Sequence, residues 1–272
     1  MTRLPVVYVP HGGGPWSYVD FGLPHAEVQS LADYWESLPA AAPDAKALLV
    51  VSAHWEAARP TLMTSSAPPM LYDFYGFPPA AYQLSWSAPG APELAGRVKG
   101  LLTGAGFTTA EDPERGFDHG TYVPLKRAYP EARLPTLQLS LLRDLDPERH
   151  LALGRALAPL RNEGVFILGS GMSYHNMRGF RRRGTGRSAA GFEASHAFDE
   201  WLRGAVCAAE PERAKQLAGW LQAPHARHVH PREEHLMPLM VVAGAAGSDG
   251  ASLPYREEIM GVRVSAVHFG AT

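Results

Sequence analysis

The sequence predicts an α/β fold: a single three-layer domain over residues 1–272, with a central mixed, mostly parallel sheet flanked by helices. Three observations carry that expectation. Short apolar runs such as Val6–Val9, Ala47–Ser52, Thr136–Leu141 and Val165–Leu168 are continuous and not alternating, as in strands covered on both faces. Segments with helical spacing lie between them, and strands alternating with helices are the pattern of parallel crossovers. The 272 residues are 46% hydrophobic and 19% charged, enough for one sizeable core, and they contain no internal repeat or low-complexity linker.

Taken in order, Val6–Val9 is a strand bounded by Pro5 and Pro10, with His11 at its exit. Gly12-Gly13-Gly14-Pro15 follows, a turn whose backbone can take positive φ and approach a ligand. No Gly-x-Gly-x-x-Gly or Gly-Lys-Ser/Thr supports a phosphate site there. Residues 25–37 read as an amphipathic helix, and Ala47–Ser52 as a strand delivering His54 and Trp55. Ala57–Pro92 is rich in proline and aromatic rings and reads as a long irregular segment that walls a pocket or staples a loop to the core. Glu93–Ala105 is a helix, Gly116–Tyr122 a turn, Thr136–Leu141 a strand and Pro147–Asn162 a helix ending before Gly164. Val165–Leu168 empties into Gly169-Ser170-Gly171, read as a turn that presents His175. Arg178, Arg181, Arg182, Arg183 and Arg187 follow; such a run is ordinarily a solvated loop, though its position beside His175 suits an anionic substrate. Ala189–Ala208 and Glu212–Leu221 are helices, and His225, His228 and His230 form a tract read as a solvated loop. A helix opens at Glu233-Glu234-His235, its acidic start suiting the helix dipole, and stops near Gly247. Gly261–Phe269 closes the chain as one strand.

The formal net charge of −2 advertises no nucleic-acid or anionic-membrane partner. The lone Cys207 excludes an intramolecular disulfide and reads as a small buried hydrophobe, consistent with a reducing compartment. The start has no signal-peptide pattern, and no window approaches the ~20 apolar residues of a membrane span. A cytoplasmic protein, monomeric or homo-oligomeric, is expected.

Twelve histidines exceed what a fold requires. His11, His54, His119 and His175 each follow a strand or sit in a glycine turn, whereas His25, His150, His196 and His268 read as surface or packing residues. Histidines placed after buried strands converge at the carboxyl edge of an open sheet, where ligands collect. Without cysteine ligands, an N/O site drawn from remote segments suits a catalytic metal with open coordination positions.

His11-Gly12-Gly13-Gly14-Pro15, Ser52-Ala53-His54-Trp55, Gly116-Phe117-Asp118-His119-Gly120, Gly169-Ser170-Gly171 through His175-Asn176, and Glu234-His235-Leu236-Met237-Pro238-Leu239 stand in that order along the chain. Together they resemble the class III (LigB-type) extradiol ring-cleavage dioxygenases, especially the DOPA-dioxygenase-like branch. The resemblance implies a non-haem Fe(II) site, with zinc the other ion expected in purified protein, and a catechol-type substrate opened with O2. It implies His11, His54 and His235 as metal ligands, with Glu234 the alternative third ligand. His175 would be the acid/base residue or a fourth ligand, and His119 a catalytic pocket residue bonding to substrate or oxygen. Arg178, Tyr122 and Trp16 are the candidates for substrate contact. Two rivals stand beside this reading. A zinc hydrolase could use the same histidines with a metal-bound water, and a non-catalytic binding relative of the fold would be expected to lack some of the five blocks.

Overall fold

A computed structural model describes residues 3–20, 22–180 and 188–270, so Arg181, Arg182, Arg183 and Arg187 lie outside the described residues. In chain order the elements are β1 (Val6–Pro10), α1 (His25–Ala41), β2 (Ala47–Ala57), β3 (Thr61–Met63), α2 (Pro92–Gly104), β4 (Ala110–Asp112), α3 (His119–Ala128), β5 (Thr136–Leu142), α4 (Pro147–Leu157), β6 (Val165–Gly171), α5 (Ala189–Cys207), α6 (Glu212–Ala218), α7 (Ala226–Val229), α8 (Met237–Ala246), β7 (Ala251–Ser252), β8 (Arg256–Ile259), β9 (Val262–Ser265) and β10 (Val267–Phe269). Short 3-10 turns cover Pro79–Gln83, Ala158–Glu163 and Trp220–Gln222.

Among the described residues the main sheet has the order β4-β3-β5-β2-β6-β1-β10-β7. Its centre, β5-β2-β6-β1, is parallel, and the strands outside it enter antiparallel through β3 and β10. The continuous apolar runs are therefore the doubly covered strands, as their lack of alternation predicted. Helix α8, backed by α4, covers one face; α3, backed by α1, covers the other. α8 is buried along its whole length, which its unbroken apolar sequence from Met237 to Ala246 permits.

Several elements depart from the sequence reading. Gly169-Ser170-Gly171 is the end of β6 and not a turn. Its glycines answer a packing demand: a Cβ on Gly169 would lie 2.5 Å from Pro238 O, and one on Gly171 would lie 2.1 Å from His235 O. The turn preceding α8 thus rests directly on the strand backbone, and His235 sits in that turn, not inside the helix that was expected to open at Glu233. A matching contact joins α4 to α8, where a Cβ on Gly154 would lie 2.0 Å from Val241 O and one on Gly244 2.1 Å from Leu151 O. The expected closing strand is two: β9 pairs with β8 in a separate hairpin, and β10 joins the main sheet after Ala266. Segment 57–92 carries β3 and a 3-10 turn within its irregular course. The helices expected over 147–162 and 212–221 each finish in 3-10 turns. Cys207 is exposed: it lies one residue beyond Val206 on α5, rotated off the stripe formed by Phe198, Leu202, Ala205 and Val206. His230, expected in a solvated tract, is fully buried, and its Nε2–H donates to Ser173 O at 3.1 Å. No helix among the described residues is long and apolar enough to cross a membrane.

Candidate metal centre

Each histidine of the centre reaches it by a different local device. β1 ends at Pro10, whose carbonyl accepts the Trp35 indole N–H from α1 at 2.8 Å, and His11 follows directly. His54 lies within β2, which runs past the expected end at Ser52. The β2–β5 register shifts between Val51 and Glu56, a bulge of the kind that re-aims a side chain. His119 is the first residue of α3, held by the Asp118 cap, whose carboxylate accepts the Thr121 N–H at 3.1 Å. His235 is fixed through its own carbonyl, which accepts from Tyr8 Oη–H at 2.7 Å and from Met172 N–H at 3.1 Å above Gly171. His175 follows β6 by four residues, its N–H donating to Val229 O at 3.1 Å.

The side chains converge. His11 Nε2 and His54 Nε2 are 3.0 Å apart, and ring centroids lie 5.1 Å apart for His11–His235 and 4.9 Å for His54–His235. One ligand atom from each of His11, His54 and His235 lies within 4.8 Å of the others. His175 stacks on His235 with centroids 3.4 Å apart, and His119 lies against His54 at 3.9 Å.

Hydrogen bonding decides which nitrogen of each ring carries its proton. Pro124 has no N–H for Gly120 C=O, the carbonyl four residues earlier in α3. That carbonyl accepts from Ser170 Oγ–H at 2.5 Å instead. The Ser170 hydroxyl is then the acceptor for His11 Nδ1–H at 3.0 Å, which leaves His11 Nε2 a lone pair. Strand pleating explains the division of labour along β6: Gly169 and Gly171 face α8, while Ser170 faces α3 and His11. Carboxylates orient His235 and His119, because an ionised carboxylate only accepts. Glu234 Oε1 lies 2.9 Å from His235 Nδ1 and 3.3 Å from His175 Nδ1. Asp73 Oδ1 lies 2.8 Å from His119 Nδ1, and its Oδ2 lies 3.7 Å from His54 Nδ1. Burial first, then the neighbouring imidazoles, push His11 and His235 well below the ordinary histidine range; His54 moves the same way. Burial pushes Asp73 upward, but its bonds and charge interactions with His119 and His54 prevail and hold it at about 2.

These facts test whether a metal fits. His11 Nε2, which holds a lone pair, lies 3.0 Å from His54 Nε2, a gap that either a proton on the His54 nitrogen or a cation between the two rings can fill. Ligands about 2.1 Å from one ion and about 90° apart at it are themselves about 3.0 Å apart, the spacing observed. Ring nitrogens whose second N–H is tied to a carboxylate or hydroxyl are what metal-binding histidines ordinarily show. The residues fit a divalent ion.

A polar network supports the centre from below. Asp118 is fully buried and accepts from Ser52 Oγ–H at 2.7 Å, from Arg115 Nη2 at 2.7 Å and from Gln138 Nε2. Burial raises its carboxyl, Asp73 adding to the effect and Arg115 and Ser52 opposing it. Arg115 also donates to His54 O at 3.3 Å. Of the expected substrate contacts, Trp16 is buried and lines a cavity beside His175, and Tyr122 is buried with its ring 6.2 Å from Tyr72. Arg178 is exposed and lines no wall of that cavity. Asp73 was not singled out in the sequence, and Ser170 stood there only within the Gly169-Ser170-Gly171 block, without a role; an aspartate alone among Tyr72, Phe74 and Tyr75 was the available signal.

Residues 5–271 match the family model described as the catalytic LigB subunit of aromatic ring-opening dioxygenase. The chain belongs to the LigB family. A Beta vulgaris protein named 4,5-DOPA dioxygenase extradiol is 44% identical over 205 residues, 75% of this chain and 74% of that protein. An Escherichia coli (strain K12) protein of the same name is 31% identical over 261 residues, covering 96% and 92%. Dioxygenase tasH of Hapsidospora irregularis is 34% identical over 282 residues, covering all of this chain and 87% of its own. The crystal structure of an uncharacterized Escherichia coli K12 protein superposes with a TM-score of 0.80 at 29% identity, covering 98% of this chain and 100% of that one. This family member thus carries a fold and histidine cluster suited to a metal-dependent ring-opening dioxygenase.

Proposed function

We propose that the protein is an Fe(II)-dependent extradiol dioxygenase that opens the ring of a catechol-type diol with O2. The observation carrying this reading is the convergence of His11, His54 and His235, one ligand atom of each within 4.8 Å of the others, with the Nδ1 protons of His11 and His235 committed to Ser170 and Glu234. These three would hold the ion on one face. Glu234 then serves as the carboxylate that orients His235 and His175 rather than as the third ligand, its Oε1 accepting from His235 Nδ1–H at 2.9 Å and lying 3.3 Å from His175 Nδ1. A bound divalent ion supplies charge to lower the pKa of the diol hydroxyls and a route for electrons from the ring to O2.

The chain's own residues do the rest. His175 Nε2, with Nδ1–H on Glu234, takes the second hydroxyl proton and returns it to the ring-opened product, and the Glu234 carboxylate stabilises the imidazolium between those steps. His119, its Nδ1–H on Asp73, offers Nε2 as acceptor to a substrate hydroxyl and keeps the diol in register with His54 beside it. Trp16 excludes water on the His11 side.

The test is a catechol panel on anaerobically Fe(II)-reconstituted protein, reading O2 uptake and the absorbance of the yellow ring-opened product. His11→Ala, His54→Ala and His235→Ala should each abolish stoichiometric metal binding. His175→Gln should keep metal and catechol yet lose turnover by ~10² to 10⁴. Metal occupancy without O2 uptake on any diol would reject the reading.

A further inference from the structure

We propose that the substrate's ring carries an apolar substituent, received by the cavity between the His175 loop and the β8–β9 hairpin, with Met172, Phe180 and Ile259 as specificity-determining side chains. This rests on the ring-opening reading, which sets the diol oxygens at the histidine cluster. The cavity adjoins that cluster at two points: His175 is in its wall, and so are Gly12 and Gly13, which directly follow His11. Gly12 has φ +72°, and a Cβ there would lie 2.7 Å from Trp16, so the glycine is what allows the indole to fold back as wall.

The side chains around it are Trp16, Met172, Met177, Phe180, Ile259 and Met260, with His175 the polar one among the described residues. Among the described residues, a carboxylate or ammonium group entering such a space would lose its hydration with His175 alone to replace it. The cavity measures about 60 Å³. That is about two water volumes of ~30 Å³, the room a short alkyl branch takes. Three of its walls are methionines, whose unbranched side chains re-pack most readily around a larger group.

The opening on the other side of the cluster has the opposite character. It is lined by Glu56, Arg232 and Glu234 with His54 and His235. Its guanidinium is already engaged, with Arg232 donating to both Glu56 oxygens at 2.6 Å and lying 3.5 Å from Glu234 Oε2. A carboxylated arm would meet two carboxylates and an occupied fork there. The apolar cavity is the better-matched of the two for a ring substituent.

The experiment compares catechol, 4-methylcatechol, 4-ethylcatechol, 3,4-dihydroxybenzoate and dihydroxyphenylalanine. Affinity is measured by calorimetry on protein loaded with redox-inert Zn(II), and kcat/KM by O2 uptake on the Fe(II) form. Each buried methylene should improve both by about fourfold. 4-Ethylcatechol should exceed the two charged diols by at least about tenfold. Met177 is 65% exposed, so Met177→Arg leaves the fold intact and should swing the ratio of 3,4-dihydroxybenzoate to 4-ethylcatechol upward by about tenfold. Ile259→Ala should move the optimum to a longer alkyl chain. A wild-type preference for either charged diol, or ratios that neither variant moves in natively folded protein, overturns the proposal. Plain catechol opened without any alkyl preference sinks this inference alone; no diol bound or opened sinks the ring-opening reading with it.

Discussion

Replacing Ser170 with Ala probes how the centre keeps its nitrogens available. The hydroxyl links Gly120 O at 2.5 Å to His11 Nδ1–H at 3.0 Å, and both partners are buried. Removing it strands a carbonyl and a ring N–H, each costing about 1–3 kcal/mol when left without a partner. Metal-free S170A should therefore unfold about 2–6 kcal/mol more easily in urea. The same change releases the His11 proton to move to Nε2, the atom that faces His54. Loss of a partner behind a ligating histidine costs 10- to 100-fold in metal affinity, about 1.4–2.7 kcal/mol. Chelator competition under anaerobic conditions measures that affinity directly. A variant that binds Zn(II) or Fe(II) within about twofold of the parent would show that Ser170 does not set the His11 tautomer.

Three further outcomes follow from other contacts. Gly171→Ala places a Cβ 2.1 Å from His235 O, so the turn must lift; metal occupancy should collapse and stability fall by about 1–3 kcal/mol, while Gly13→Ala, with nothing within 4 Å, should leave stability unchanged. Asp118→Asn removes the charge opposite Arg115 and turns one of two accepting oxygens into a donor, and should cost about 3–5 kcal/mol in denaturant unfolding, with His54 losing its alignment; a change below about 1 kcal/mol would dismiss the network. His150 is fully buried, accepting from Leu142 N–H and donating to Asp146 O, and burial lowers it to about 4. The unfolded chain takes up this proton near pH 6.5 and the folded one only near 4, so stability is lost as pH falls through that window. In metal-free protein the advantage of the parent over His150→Gln should shrink by about 2 kcal/mol between pH 7 and pH 5, and parallel stability curves would refute it.

The parallel centre of the sheet was legible because Val6–Val9, Ala47–Ser52, Thr136–Leu141 and Val165–Leu168 must be covered on both faces, and the histidines because His11, His54 and His175 follow such runs, His119 sits among glycines and His235 opens an apolar helical segment. What stayed hidden depends on partners remote in sequence. Gly169 and Gly171 read as turn residues, since a glycine required by a neighbouring backbone looks identical to one required by φ; only α8 overhead distinguishes them. Asp73 sits 46 residues from His119 in an irregular segment, so nothing local marks it as that ring's anchor. Pro124 reads as a blemish in a helix until Ser170 is seen using the carbonyl it frees. Cys207 and His230 were misjudged because burial in α5 and after α7 turns on one-residue differences in facing that composition does not carry.

The seat of His235 on β6 has a consequence for motion. Its carbonyl is gripped by the Tyr8 hydroxyl and the Met172 amide over a bare glycine, so the main chain of this proposed ligand cannot shift while those bonds hold. It can leave only if the α8 turn separates from the sheet, an opening that breaks the core itself. The Met172 amide should accordingly exchange with deuterium on the timescale of the slowest core amides, with or without metal. Ion capture would then order little that is not already ordered, and nearly all of its free energy would appear as affinity.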